Sequence, residues 1–244
     1  MNRITEYKFD SRDDLFLQLL QDVMGQLAGA LAKKSQGSML LSGGTSPGRL
    51  YEMMSREELD WANVWFGLTD ERWVAPDHKD SNEKLVHDTL LINNAAAANF
   101  VGLKSARVDT RVDTRVDSGD DIVRGQALSE RRLQELPRPF DIVLLGMGLD
   151  GHMASLFPDS NDLPAALDER NKMLCHPIRR GVGEAARMTM TLTALLSSHD
   201  VKLLIFGPDK WRVYQEAKAH KSAQQPVSYL LNQQQVPVSI YWAP

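Results

Sequence analysis

The sequence predicts an α/β protein built on a doubly wound, mostly parallel sheet with helices on both faces. Three observations lead there. Short apolar runs of the kind that form buried strands recur along the chain, each stopped by glycine or a polar turn. Stretches with helical spacing lie between them. Strands that alternate with helices favour parallel pairing, with both sheet faces covered. The length, 244 residues, suits a single domain over 1–244, and no shift in composition marks a boundary.

The elements follow in order. Residues 13–34 carry Leu15, Leu19, Val23, Leu27 and Leu31 on one helical face, with Gly37 as the expected stop. Residues 38–42 (SMLLS) read as a buried strand halted by Gly43-Gly44. Pro47 stands where a helix begins, and 49–54 continue it. A second strand, 64–68, runs into Asp70-Glu71-Arg72, and a helix over 82–92 has Ser81 or Asn82 as its N-cap. Residues 107–118 read RVDTRVDTRVDS, a triplicated unit of alternating charge whose simplest reading is a solvated loop. A helix over 121–136 ends before Pro137 and Pro139. The strand at 140–145 (FDIVLL) enters a glycine-rich loop at 146–152. The run at 202–206 (KLLIF) ends in Gly207-Pro208-Asp209, before a helix over 210–219. A last strand is expected at 238–242.

Composition removes several classes of function. Lys and Arg number 28 against 32 Asp and Glu, a net charge of −4, and no basic cluster offers a nucleic-acid groove. The single cysteine, Cys175, excludes an internal disulfide and a cysteine-rich zinc site, and nothing near it in sequence activates the thiol. No apolar run approaches the ~18 residues of a membrane helix. The opening MNRITEYKFD lacks the apolar core of a Sec signal. The expectation is a cytoplasmic protein without membrane or nucleic-acid partners, a monomer or weak homodimer. No H-x-x-x-H or H-E-x-x-H spacing occurs, so no metal is expected.

In open α/β sheets, sites lie outside the carboxyl ends of the strands, and four such ends carry chemistry. The first is Ser42-Gly43-Gly44-Thr45-Ser46-Pro47-Gly48, where glycines allow close backbone approach to an anion and a helix start presents free N–H groups. It matches neither a P-loop nor a dinucleotide fingerprint, and alone it reads equally as a tight turn. The second is Asp70-Glu71-Arg72, either a surface salt bridge or an acid/base and oxyanion set. The third is Gly146-Met147-Gly148-Leu149-Asp150-Gly151-His152, which presents His152 as a general-base candidate two residues from Asp150. The other five histidines, His78, His87, His176, His199 and His220, read as structural or solvated. The fourth is basic: Arg187 and Lys210 would complete an anion pocket beside the first loop, or stand as lone surface charges.

These motifs resemble the 6-phosphogluconolactonase family. The likeness rests on Gly43-Gly44-Thr45-Ser46-Pro47, on Asp70-Glu71-Arg72 with Asp77-His78-Lys79-Asp80-Ser81-Asn82, and on Gly146 through Pro158 (GMGLDGHMASLFP). Arg187-Met188-Thr189-Met190-Thr191-Leu192-Thr193 fits as well, and the motifs follow family order over roughly 10–240. Thr45-Ser46 reverses the usual Ser-Thr order, and the RVDT triplication is not a family feature. The resemblance implies a Rossmann-like fold similar to glucosamine-6-phosphate deaminase. It also implies hydrolysis of 6-phospho-D-glucono-1,5-lactone to 6-phosphogluconate, in the oxidative pentose phosphate pathway, without metal or organic cofactor. His152 would then take the proton of the attacking water, while Arg72 and glycine N–H groups meet the oxyanion. Asp150 would hold the imidazole or merely cap its loop. The phosphate would sit on Gly43, Gly44, Thr45 and Ser46, neutralised by Arg187 and Lys210. The alternative is a sugar-phosphate deaminase or isomerase using Asp70 and Asp150 with His152. A non-catalytic sugar-phosphate sensor is less expected, since the few residues before the first helix leave no room for a helix-turn-helix.

Overall fold

The computed structural model describes residues 4–104, 119–179, 181 and 183–244; the RVDT repeat at 107–118 lies outside them. The strands are β1 (Ile4–Lys8), β2 (Gly37–Leu41), β3 (Val64–Leu68), β4 (Asp70–Arg72), β5 (Asn99–Val101), β6 (Ile142–Gly146), β7 (Cys175–Ile178), β8 (Arg187–Met190), β9 (Val201–Phe206) and β10 (Val238–Ala243). The helices are α1 (Arg12–Lys34), α2 (Gly48–Met54), α3 (Asn82–Thr89), α4 (Gly119–Leu133), α5 (Leu163–Leu167), α6 (Leu192–Leu196), α7 (Pro208–Ala219) and α8 (Val227–Leu231).

Seven strands form one parallel sheet in the order β1-β10-β9-β6-β2-β3-β5. Every residue of β2 is buried, as are the first four of β6 and the first five of β9, so the middle of the sheet is covered on both faces. The direction of winding reverses between β2 and β6. From β2 the chain builds outward through β3 to β5, then returns to β6 on the other side of β2. Only Met39–Ile142 and Leu40–Val143 pair there, whereas β2 and β3 pair along all five positions. The two strands thus part before their carboxyl ends, leaving a crevice at the switch point.

A second sheet was not expected from the sequence. Strands β4, β8 and β7 pair antiparallel, and the Asp70-Glu71-Arg72 segment is a short strand rather than a loop. At three or four residues each, these strands are too short to show a period. The small sheet joins the large one through Thr69, whose N–H donates to Leu41 O and whose O accepts from Met190 N–H.

Helix α1 is long and apolar enough by length and composition to cross a membrane, yet Leu15, Leu19, Val23 and Leu27 are fully buried in the core of this chain. It does not run on to Gly37. Ser35 closes it in the left-handed region (φ 59°, ψ 12°), its N–H donating to Leu31 O, and Gly37 instead opens β2. A side chain in that conformation costs about 1 kcal/mol relative to glycine. Ser35→Gly should therefore stabilise the fold by about that amount and raise Tm by about 2–4 °C in a thermal melt.

Candidate active site

The two loops that leave the switch point form the floor of a cleft of about 270 Å³. The first leaves β2. Ser42 O accepts a 2.7 Å hydrogen bond from Tyr51 Oη, which ties the loop to α2. Gly43 must be glycine because the Asn82 carboxamide occupies the space a Cβ would take, and Gly44 turns the chain at φ +88°. Thr45 and Ser46 complete the loop along the cleft.

On β4 the twofold period of a strand decides which side chains reach the cleft: Asp70 and Arg72 line it, and Glu71 does not. Glu71 instead holds the start of α3. Its Oε1 accepts from Arg72 N–H and Asn82 N–H (2.7 and 2.8 Å), its Oε2 from Glu83 N–H and the Ser81 hydroxyl (2.8 and 2.9 Å). Burial pushes this carboxyl up from its ordinary range, and those donors pull against that rise. Asp70 is also engaged: its Oδ2 accepts from Ser155 Oγ at 2.5 Å and its Oδ1 from Thr69 Oγ1 at 3.2 Å. Arg72 donates through Nη1 to Asp80 O, while its buried Nε has no hydrogen-bond partner among the described residues.

The second loop leaves β6 and carries the base candidate. Gly148 N–H donates to His152 O (2.9 Å), Gly151 N–H donates to Gly148 O (3.1 Å), and Gly151 lies at φ +76°. This tight return folds His152 and Asp150 over Gly148, where any Cβ would overlap the imidazole. Nδ1 of His152 sits 2.6 Å from Asp150 Oδ1, which also accepts His152 N–H at 3.2 Å. Burial raises the Asp150 carboxyl, but His152 outweighs it, holding the group below the usual carboxylate range by charge and hydrogen bonding. An ionised carboxylate only accepts, so Nδ1 is the nitrogen that carries the proton in this contact, and in the neutral ring the lone pair is then on Nε2.

The cationic wall comes from two other elements. Arg187 on β8 is the direct cross-strand partner of Arg72 on β4. Like charges placed opposite each other destabilise a strand pair, an arrangement that an anion between them would offset. Lys210 lies in the first turn of α7, after Gly207 at φ +83°, and burial lowers its pKa from the ordinary lysine value.

Of the ten residues expected from sequence, nine line the cleft: Gly43, Gly44, Thr45, Ser46, Asp70, Arg72, His152, Arg187 and Lys210. Asp150 is the tenth and stands behind His152. The sequence reading missed Asn82 as a wall residue. It is 3% exposed and donates through Nδ2 to Asp70 O at 2.8 Å. Its signals were a place as an alternative N-cap and membership of the Asp77–Asn82 stretch that carries part of the family resemblance. Neither Trp73 nor Trp211 lines the cleft, and the buried Cys175 thiol is pushed up by burial.

Residues 10–242 match the family described as glucosamine-6-phosphate isomerases/6-phosphogluconolactonase. The chain is 36% identical to the 6-phosphogluconolactonase of Rhizobium meliloti over 238 residues, 97% of each chain. It is 37% identical to that of Pseudomonas putida over 227 residues, 93% of this chain and 87% of the other. A crystal structure of a 6-phosphogluconolactonase from Shewanella baltica superposes with a TM-score of 0.88 at 33% identity, covering 99% of this chain and 98% of that one.

The crowding at Gly148 gives a direct test of the dyad. Gly148→Ala should break the Nδ1–Oδ1 contact while leaving the sheet intact. The downfield Nδ1 proton of His152 should then be lost from the NMR spectrum while the backbone dispersion of the parent is retained.

Proposed function

We infer the reaction from one premise: the chain belongs to the glucosamine-6-phosphate isomerase/6-phosphogluconolactonase family. Its proposed activity is hydrolysis of 6-phospho-D-glucono-1,5-lactone to 6-phospho-D-gluconate. The observation that carries this reading is the meeting, across one cleft, of an imidazole oriented by Asp150 with the cross-strand pair Arg72–Arg187. A base beside two guanidinium groups suits a substrate that carries both an ester carbonyl, whose oxyanion Arg72 can meet, and a phosphate, which Arg187 can hold.

In the proposed mechanism Nε2 of His152 takes a proton from water as the water oxygen bonds to the lactone carbonyl carbon, a role worth about 10²–10⁴ in rate. The carbonyl π pair moves to oxygen, and the oxyanion is met by Arg72, each such donor contributing about 10²–10³. When the tetrahedral intermediate collapses, the ring C–O bond breaks and the departing oxygen takes the proton back from His152. Asp150 holds the ring tautomer and stabilises the imidazolium between those steps. Arg187, Lys210 and the loop of Gly43, Gly44, Thr45 and Ser46 hold the phosphate, whose binding energy orients the carbonyl against the base.

Asp70, expected as an acid/base group, takes a different part in this reading. Its carboxylate already accepts from the Ser155 and Thr69 hydroxyls, so it braces the segment after His152 rather than moving a substrate proton. That engagement also counts against the deaminase or isomerase alternative, which needs Asp70 as a base. The same reading makes the chain a single-domain cytoplasmic enzyme, monomer or weak homodimer, acting on a small phosphorylated lactone without metal or organic cofactor.

The test is hydrolysis of freshly generated lactone in chelator-containing buffer, with the spontaneous rate subtracted. His152→Ala should lower kcat about 10³-fold and leave the Kd of 6-phosphogluconate within about twofold. Arg187→Ala should raise that Kd about tenfold or more, with a smaller effect on kcat. No acceleration by the parent chain, with ammonia released from glucosamine 6-phosphate, would overturn the assignment.

A further inference from the structure

We propose that Phe157 is a positioning residue whose single ring seats both the His152 imidazole and the Arg187 guanidinium, so that one side chain sets base and phosphate anchor relative to each other. The proposal rests on the reading above. Phe157 is 6% exposed and does not line the cleft, so any influence on the reaction passes through its neighbours. Two of those neighbours are the proposed base and the proposed phosphate anchor. The ring centroid lies 4.5 Å from that of the imidazole at an interplanar angle of 42°, and 5.2 Å from Cζ of Arg187.

The ring gives each of those groups a seat. The Asp150 contact holds His152 at Nδ1, a hydrogen bond about which an imidazole can still turn. A flat surface packed against the imidazole removes that freedom and aims Nε2. Arg187 is fixed at its backbone by pairing with Arg72 and Ile178, but a long flexible side chain separates β8 from the charge. A cation over an aromatic face is held by the ring quadrupole, which gives the guanidinium a preferred seat.

The ring itself is firmly placed. Ala154 at φ 48° reverses the chain after His152, Leu156 N–H donates to Met153 O, and Ser160 N–H donates to Phe157 O. Ser155 Oγ on Asp70 anchors the middle of this turn. A residue five positions after the base is thereby returned to pack against it. Arg187 and the base, which belong to different sheets, are brought to one reference surface.

The experiment uses the full chain with Phe157→Leu, Phe157→Tyr, Arg187→Ala and the Phe157→Leu/Arg187→Ala pair. Kinetics on the lactone give kcat and KM, and calorimetry gives the Kd of 6-phosphogluconate. Partial unfolding alters the calorimetric stoichiometry but not Kd, so a loss of packing alone does not imitate the effect. Phe157→Leu should lower kcat about tenfold and raise Kd about fivefold together, while Phe157→Tyr stays within about twofold on both. In the Arg187→Ala background, Phe157→Leu should leave Kd unmoved and still lower kcat. Phe157→Met supplies the same comparison if the leucine variant folds poorly. An unchanged Kd in Phe157→Leu, or the same rise in Kd with and without Arg187, would overturn the proposal and leave the lactonase assignment standing. A parent chain that neither hydrolyses the lactone nor binds the product would overturn both.

Discussion

The site depends on a constraint of winding: β2 and β6 lie side by side, but the chain leaves their carboxyl ends toward opposite edges of the sheet. No crossover can fill the space between two connections that diverge, so a crevice remains, floored by the last residues of both strands. The short ladder between them, ending at Leu40–Val143, widens it. Both glycine-rich loops leave from these strands, which is why one cleft receives an anion-binding candidate and a base candidate from parts of the chain a hundred residues apart.

Steric exclusion then does much of the positioning. The dyad lies over Gly148, and the Asn82 carboxamide fills the place of a side chain at Gly43. At Gly151 the positive φ and the nearby backbone of Gln225 leave no space for a Cβ, while Gly151 O accepts from Val227 N–H. The segment before α8 is thus packed against the His152 loop from behind. Glycine acts in these loops less as a source of flexibility than as a gap into which a functional side chain fits.

Charge is arranged locally against the balance of the whole chain. A protein with net charge −4 presents Arg72, Arg187 and Lys210 to one cleft. Two of the acidic side chains nearby are turned to structural work: Glu71 faces away to hold α3, and Asp70 accepts from two hydroxyls.

The sequence by itself determined the local features. Apolar runs marked β2, β3, β6, β9 and β10, helical spacing marked α1, and the polar residues just past those strands included nearly every residue that lines the cleft. The Asp150–His152 pair was legible only as closeness in sequence: whether Asp150 holds the imidazole or caps the loop stayed open there, and the fold of the loop over Gly148 brings the two side chains together. Tertiary structure decided what depends on distant pairing. The strand order that makes the crevice, the opposition of Arg72 and Arg187, and the burial of Asn82 arise from contacts with no periodic trace in the chain. The strands of the small sheet are too short to register a pattern, and the left-handed turn at Ser35 took a position where glycine was expected two residues later. The return of Phe157 onto His152 and Arg187 belongs to the same class: local periodicity specifies which face of an element is apolar, and only packing specifies which neighbour meets it.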